Sequence, residues 1–120
     1  MSSNNEIIVL EELNERIDGD MGLFRELAEI FSNDSETMVN NVRKAVNSED
    51  AAGLAKSAHT LKGSVANFSA QQAFDSALKL EKIGKSGDLS QSKEALDELE
   101  KTINTLVKRL NELASQEKLV

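Results

Sequence analysis

The sequence lacks several residue types that large classes of protein chemistry require. Its 120 residues include no Cys, Pro, Trp or Tyr, and His occurs once. Without Cys the chain can form no disulfides, thiol nucleophiles or thiolate metal sites, and one His cannot supply the two or three imidazoles of a typical zinc enzyme. The Trp and Tyr platforms that stack on bases are also excluded. We therefore expect no metal ion or other cofactor on this chain.

Long apolar runs and an excess of basic charge are missing as well. No stretch approaches the roughly 20 apolar residues that span a bilayer, and the start MSSNNEIIV lacks the basic flank of a signal peptide. We therefore expect a cytoplasmic chain that does not insert into membranes. The 14 basic and 21 acidic residues give a net charge of −7, which disfavours binding to the phosphates of nucleic acids.

The residues that are present favour helices from end to end. Ala, Leu, Glu and Lys are abundant, and apolar residues recur at helical spacing. This pattern predicts a short helix over about residues 9–17 and four longer amphipathic helices, the third of which ends near Ile83. The longer helices start near Asp20, near Ser48 or Asp50, near Ala70 and near Ser90. The predicted fold is all-α, an antiparallel four-helix bundle with a short additional N-terminal helix.

A chain of this length fits a single domain, which we assign to residues 1–120 with the bundle in about 9–115. The last helical segment repeats Leu or Ile every three or four residues from Leu96 to Leu113. This repeat is compatible with a coiled-coil dimer, but three other amphipathic helices in the chain can cover it. We therefore expect a monomer.

The second helical segment leaves an alternative open. Two apolar stripes are separated by the polar stretch Ser32-Asn33-Asp34-Ser35, so residues 21–47 form either one bent helix or two helices. The predicted stripes consist of Leu23, Phe24, Leu27, Ile30 and Phe31, and then of Met38, Val42, Ala45 and Val46.

The single histidine lies on the outer face of the next predicted helix. The core line of that helix is Leu54, Ala58, Leu61 and Val65. His59 projects roughly 130° from the centre of this arc. The residues one or two turns away on the same face are Ala55, Lys62, Gly63 and Ala66. Three of them are small, which leaves the ring clear, and the fourth places an ammonium near any anion attached to it.

Gly63 and His59 each have a structural and a functional explanation. A Gly inside a helix costs about 1 kcal/mol relative to Ala, so Gly63 lets either a neighbouring helix or another protein approach closely. An isolated exposed His is usually only a solvated side chain, but a neutral imidazole is also a nucleophile that needs no activating triad. The chain has no glycine-rich phosphate loop or kinase motif. We therefore expect no enzyme and no autonomous kinase activity, so that any phosphoryl group on His59 would have to come from an external donor.

The run AHTLKGS, from Ala58 to Ser64, decides between these explanations. It strongly resembles the histidine-containing phosphotransfer (HPt) domains, and the resemblance covers most of the chain. Before the motif, LNERIDGDMGLFRELAEIF is similar to the family's short helix, Gly-Asp turn and apolar helix. After it come Asn67, Ala70, the pair Leu80-Glu81 and GKSGD. HxxKG alone is a weak pattern, and this context makes it specific.

The resemblance implies a role for each residue of the exposed face. His59 is then the phosphoacceptor, and Lys62 helps to hold or neutralise the phosphoryl group. Gly63 lets a receiver domain dock, with Ala55 and Ala66 in the same interface.

Glu81 falls where some members of the family have Glu or Gln beside the histidine. It either orients the ring from the adjacent helix, is solvated, or pairs with a lysine: Lys62, Lys82 or Lys85. Two departures from the family pattern concern the turn between these helices. Ser69 stands where Gly is common, and Ala73 where a larger aliphatic residue is usual, a loss of bulk for which Phe74 is a candidate replacement.

The function implied by the resemblance is that of a phosphoryl carrier in a multistep two-component phosphorelay. Its partner would be a response-regulator receiver domain, which would bring its own Mg²⁺, and a hybrid sensor histidine kinase is a further candidate partner. The leading alternative is an acidic helical adaptor that binds a partner without phosphoryl transfer. A third option is an enzyme that phosphorylates itself.

Overall fold

The computed structural model describes residues 7–120, and this part of the chain is helical without strands. Its five helices are α1 (Leu10–Arg16), α2 (Met21–Asn47), α3 (Ala51–Ala66), α4 (Gln71–Ser86) and α5 (Ser92–Ala114). Helix α2 packs against α3 and α5, and α4 packs against the same two helices from the other side. The four long helices therefore form the expected antiparallel bundle, and α1 is the short additional helix.

Residues 21–47 form one uninterrupted helix, which settles the alternative left open by the polar stretch. Asp20 caps the helix start, where its Oδ1 accepts a hydrogen bond of 3.0 Å from the Leu23 backbone N–H. Ser35 is buried inside the helix, and its hydroxyl donates to the Ser32 carbonyl at 3.1 Å. Because this bond satisfies the buried hydroxyl within the helix, the polar stretch does not break it.

The buried face of α2 differs from the predicted stripe. The prediction that Leu23 and Ile30 line the core is wrong, since both are exposed and the side chain of Ile30 is 52% accessible to solvent. The buried residues of α2 instead follow one another at spacings of three and four, and they include a small residue and a polar one, Ala28 and Ser35. This core line consists of Phe24, Ala28, Phe31, Ser35, Val39 and Val42. Leu23 and Ile30 each precede a core residue by one position, which rotates them by about 100° towards solvent.

Two glycines near the end of α4 have different roles. The helix continues to Ser86, past the expected end near Ile83, because Gly84 is a packing residue and not a stop. A Cβ added at Gly84 would lie 2.5 Å from the backbone N of Ala55 and 2.8 Å from the carbonyl oxygen of Ala51. Gly87 ends the helix in a left-handed conformation with φ of 79°. Gly84 therefore permits the close crossing of α3 and α4.

Helix α1 is fastened to the turn between α3 and α4. The Val9 backbone N–H donates to the Ser69 carbonyl at 3.1 Å, and Arg16 Nε donates to the Ser69 hydroxyl at 3.0 Å. Ser69 has φ of 53°, the left-handed region that Gly adopts without strain, in keeping with the Gly that the resemblance leads one to expect at this position. Ser69 therefore adopts a backbone conformation that is uncommon for residues other than Gly.

The packed core extends slightly beyond the expected limits of the bundle. Ile8 and Leu119 are buried, although both lie outside residues 9–115. At the other predicted capping position, Asp50 caps α3 by accepting a 2.9 Å hydrogen bond from the Gly53 N–H, whereas Ser48 follows the end of α2. No helix in the described part of the chain combines the length and apolar character that a bilayer crossing needs.

Leu61 of α3 and Leu106 of α5 are fully buried, as their spacing predicts. Replacing either with Ala should lower the free energy of unfolding by about 2–5 kcal/mol, because the removed methyl groups leave a cavity. Urea denaturation measures the loss, with Ile30→Ala as an exposed control expected to change stability by less than about 0.5 kcal/mol. Equal losses in all three variants would contradict the assigned core.

Candidate functional site

His59 lies on the outer face of α3, as its position relative to the core line predicts. The four core residues of that line are completely buried, whereas 66% of the His59 side chain is accessible to solvent. The ring is not, however, a solvated side chain without partners. Its Nδ1 atom lies 2.9 Å from Oε2 of Glu81, which reaches it from α4. The imidazole is therefore exposed at one nitrogen and held at the other.

The contact with Glu81 determines which nitrogen of His59 is free. An ionised carboxylate can only accept hydrogen bonds, so Nδ1 carries the ring proton and donates it to Glu81. The lone pair of the neutral ring then lies on Nε2, at the exposed edge. This arrangement gives His59 a nucleophilic nitrogen with a fixed direction.

Glu81 is buried, and its carboxylate contacts cationic side chains from both α3 and α4. Only 4% of its side chain is accessible, yet its Oε1 lies 2.7 Å from Nζ of Lys62 and its Oε2 lies 3.2 Å from Nζ of Lys85. The hydrogen bond from Lys62, assisted by those from His59 and Lys85, lowers the pKa of Glu81 from its usual 4.5 to about 2, against the opposing effect of burial. Of the partners considered from the sequence, His59, Lys62 and Lys85 all contact Glu81, whereas Lys82 is exposed and forms no ion pair with it.

Lys62 is held in place on two sides. Its side chain is 20% accessible, and its Nζ lies 5.9 Å above the centroid of the Phe74 ring as well as 2.7 Å from Glu81. Phe74 itself is half-buried and packs against the core. The Lys62 ammonium therefore contacts both the Phe74 ring and the Glu81 carboxylate, and its side chain is less exposed than that of His59.

Gly63 is exposed, and a Cβ added there would meet nothing within 4 Å. This excludes the explanation that Gly63 lets a neighbouring helix pack, a role that belongs to Gly84. Ala55 and Ala66 are half-buried, Ala55 at the crossing with Gly84 and Ala66 in a shallow cleft that α1 closes on one side. At these three positions, therefore, no long side chain rises beside His59.

Sequence reasoning included Lys85 among the possible partners of Glu81 but gave Gly84 no part in this site. Lys85 is four residues after Glu81, a spacing that favours an ion pair on one helix, and this was the available signal for its contact. The sequence predicts the end of α4 near Ile83, whereas Gly84 lies inside the helix. Its close approach to Ala51 and Ala55 depends on how two helices cross, which the local sequence does not specify.

The lowered pKa of Glu81 predicts how stability responds to acid. Since the carboxylate is more acidic in the folded chain, it stabilises the fold above about pH 4.5, and this contribution is lost as the pH falls towards 2. The free energy of unfolding, measured with urea at several pH values, should therefore fall more steeply over this range in the natural chain than in Glu81→Gln. Glu98→Gln, which changes an exposed carboxylate on α5, should leave the slope unaltered. Parallel curves for the natural chain and Glu81→Gln would contradict the ion-pair assignment.

Comparisons with known proteins bear on the fold and the family of the chain. No curated protein sequence matches the chain. Among solved structures, the crystal structure of histidine-containing phosphotransfer protein B (HptB) from Pseudomonas aeruginosa PAO1 is similar, with a TM-score of 0.81 and 21% sequence identity over 92% of this chain and 96% of that protein. This likeness establishes a common fold. The profile of the Hpt domain matches residues 26–114, which include His59 and Glu81 and make up most of the chain, and the protein therefore belongs to the Hpt domain family.

Proposed function

We propose that the chain carries a phosphoryl group on His59 and exchanges it with the aspartate of a response-regulator receiver domain. The observation that carries this proposal is the exposed imidazole whose Nδ1 is held by the buried carboxylate of Glu81, 2.9 Å away. A solvated His without a role needs no such support. Membership of the Hpt domain family supports the same conclusion.

The transfer is a displacement in which no proton changes its partner. The Nε2 lone pair attacks the phosphorus of an aspartyl phosphate, and the P–O bond breaks with its electron pair passing to the aspartate carboxylate. The ring keeps its proton on Nδ1 and becomes positively charged, and Glu81 compensates this charge. In the reverse direction a neutral imidazole leaves, so the same geometry serves both directions.

The surface around His59 suits such a partner. Gly63 adds no side chain and Ala55 and Ala66 add little, so a receiver can bring its aspartate close to the ring. Residues 51–88 carry 5 Lys and 3 acidic residues, in contrast to the acidic chain as a whole, and this favours an acidic partner. We place the exchange in the cytoplasm, with a monomeric chain, with Mg²⁺ supplied by the receiver and with a hybrid sensor kinase as a further partner.

Transfer of a radioactive label from a phosphorylated receiver domain tests the proposal. Receiver domains from the same organism, phosphorylated with radioactive acetyl phosphate and Mg²⁺, should transfer label to the chain in an acid-labile and alkali-stable form. His59→Gln should abolish the label, and ATP alone should give none because the donor is external. Binding of a receiver without transfer would instead support an adaptor, and labelling by ATP alone would support a self-phosphorylating enzyme.

Gly63 offers a separate test of the docking surface. Gly63→Arg should slow transfer from the receiver at least about tenfold, because the long side chain occupies the space that the partner needs. Direct phosphorylation of His59 by phosphoramidate, a small donor, should be unaffected. Gly63→Ala is the matched control, expected to retain transfer and to gain up to about 1 kcal/mol of stability. Equal rates in the two variants would count against this docking surface.

A further inference from the structure

A second concave surface lies on the side of the bundle opposite His59. It is the groove between α2 and α5, which has a volume of about 670 Å³, within the usual size range of ligand sites. Helices α2 and α5 contact each other, and each also packs against one helix of the pair α3 and α4 that carries His59 and Glu81. The groove and the histidine site therefore face away from each other, and a molecule bound in the groove leaves His59 accessible.

The groove has an apolar floor and polar walls. Val39 of α2 and Ile103 of α5 are buried where the two helices meet, and their side chains form part of the floor. The walls include three carboxamides, those of Asn40, Asn104 and Asn111. This lining combines apolar contact with directional hydrogen bonds, as binding sites typically do.

Much of the hydrogen-bonding capacity of the walls is unused. Asn104 and Asn111 are exposed, and their side chains make no hydrogen bond with any residue between 7 and 120. Oδ1 of Asn40 accepts from Arg43, which leaves the NH₂ group of Asn40 to donate. The buried Ser32 hydroxyl in the same groove also has no hydrogen-bond partner among the described residues, which is uncommon for a buried polar group. A ligand with both donors and acceptors would complement these walls.

The charges in the groove offset one another. Glu36 and Glu100 are matched by Arg43 and Lys108, and Arg43 forms an ion pair with Glu100 across the groove. An anion or a cation therefore gains little electrostatic free energy here. None of the lining residues is aromatic, so the flat ring of a base has no platform for stacking. The lining thus favours an uncharged ligand that is rich in hydrogen-bonding groups.

The spacing of the amides fits the backbone of an extended peptide. Asn104 and Asn111 lie two turns apart on one face of α5, a separation of about 10 Å along the helix. Three residues of an extended chain span about the same length. Each carboxamide offers a donor and an acceptor, which complement a backbone C=O and N–H. An extended backbone directs these groups to both sides, towards Asn40 on α2 as well as towards α5, whereas the backbone groups of a helix are already paired.

We propose that the groove between α2 and α5 binds an uncharged, extended segment of a partner protein by pairing side-chain amides with its backbone. Small aliphatic side chains at alternate positions of the segment would rest on Val39 and Ile103. This surface is independent of the proposed exchange at His59. A chain that is held by one protein through the groove still presents His59 to another.

A peptide titration followed by NMR tests the groove. The probe is a library of capped six-residue peptides composed of Ala, Val, Ser and Thr, added to the ¹⁵N-labelled full chain. We expect saturable shifts of the side-chain NH₂ signals of Asn40, Asn104 and Asn111. Asn104→Leu keeps the size of the side chain but removes the amide, and it should weaken binding about two- to tenfold, the range expected for one hydrogen bond. Asn33→Leu, at an exposed position of α2 outside the groove, is the matched control and should bind as the natural chain does.

Methylation of the peptide backbone nitrogens removes the N–H donors and should weaken binding at least about tenfold. Equal affinity of the methylated library, equal affinity of Asn104→Leu and Asn33→Leu, or no saturable shift up to about 1 mM peptide would overturn the proposal. Groove shifts that depend on the concentration of the chain without peptide would assign the surface to a second copy and would overturn it as well. His59→Gln should bind the peptides unchanged, so a failure of phosphoryl transfer would leave this proposal standing.

Discussion

A buried carboxylate has to be supplied with hydrogen-bond donors and positive charge, and the site around His59 depends on how Glu81 meets this requirement. Removing an ionised carboxylate from water costs several kcal/mol unless close partners compensate it. Lys62, Lys85 and the His59 ring provide these partners from two helices. The same contacts that make the burial tolerable fix the ring proton on Nδ1 and direct Nε2 outwards. Stability and reactivity therefore share one set of atoms.

The depth of Glu81 in turn depends on how closely α3 and α4 approach. Gly84 lies one turn after Glu81 and has no room for a Cβ against the α3 backbone at Ala51 and Ala55. His59 is one turn after Ala55, so the antiparallel crossing sets the register that brings the ring over the carboxylate. A bulkier residue at the crossing would separate the two helices along the whole site. The geometry at His59 is thus determined by an apolar packing contact between two helices.

Features that depend on one helix were largely predictable from the sequence, whereas the choice among possible contacts between two helices was not. The all-helical fold, the Asp20 cap and the outward position of His59 follow from periodicity and local capping. The core prediction wrongly included Leu23 and Ile30, because the buried face of α2 contains Ala28 and Ser35 instead. Which face of α2 is buried depends on its packing against the other helices. For the same reason the role of Gly84 became apparent only from the crossing of α3 with α4, whereas the pair of Lys85 with Glu81, four residues apart on one helix, was among those expected from the sequence.

The left-handed turn at Ser69 has a consequence for the edge of this surface. Both hydrogen bonds that fasten α1, from Val9 and from Arg16, end on this one residue, which also lies in the turn that precedes α4. Helix α1 closes one side of the cleft at Ala66, so the conformation of the turn at Ser69 determines where this edge of the cleft lies. A protein that docked at His59 would meet an edge that these hydrogen bonds already hold in place, so little conformational entropy would be lost there on association.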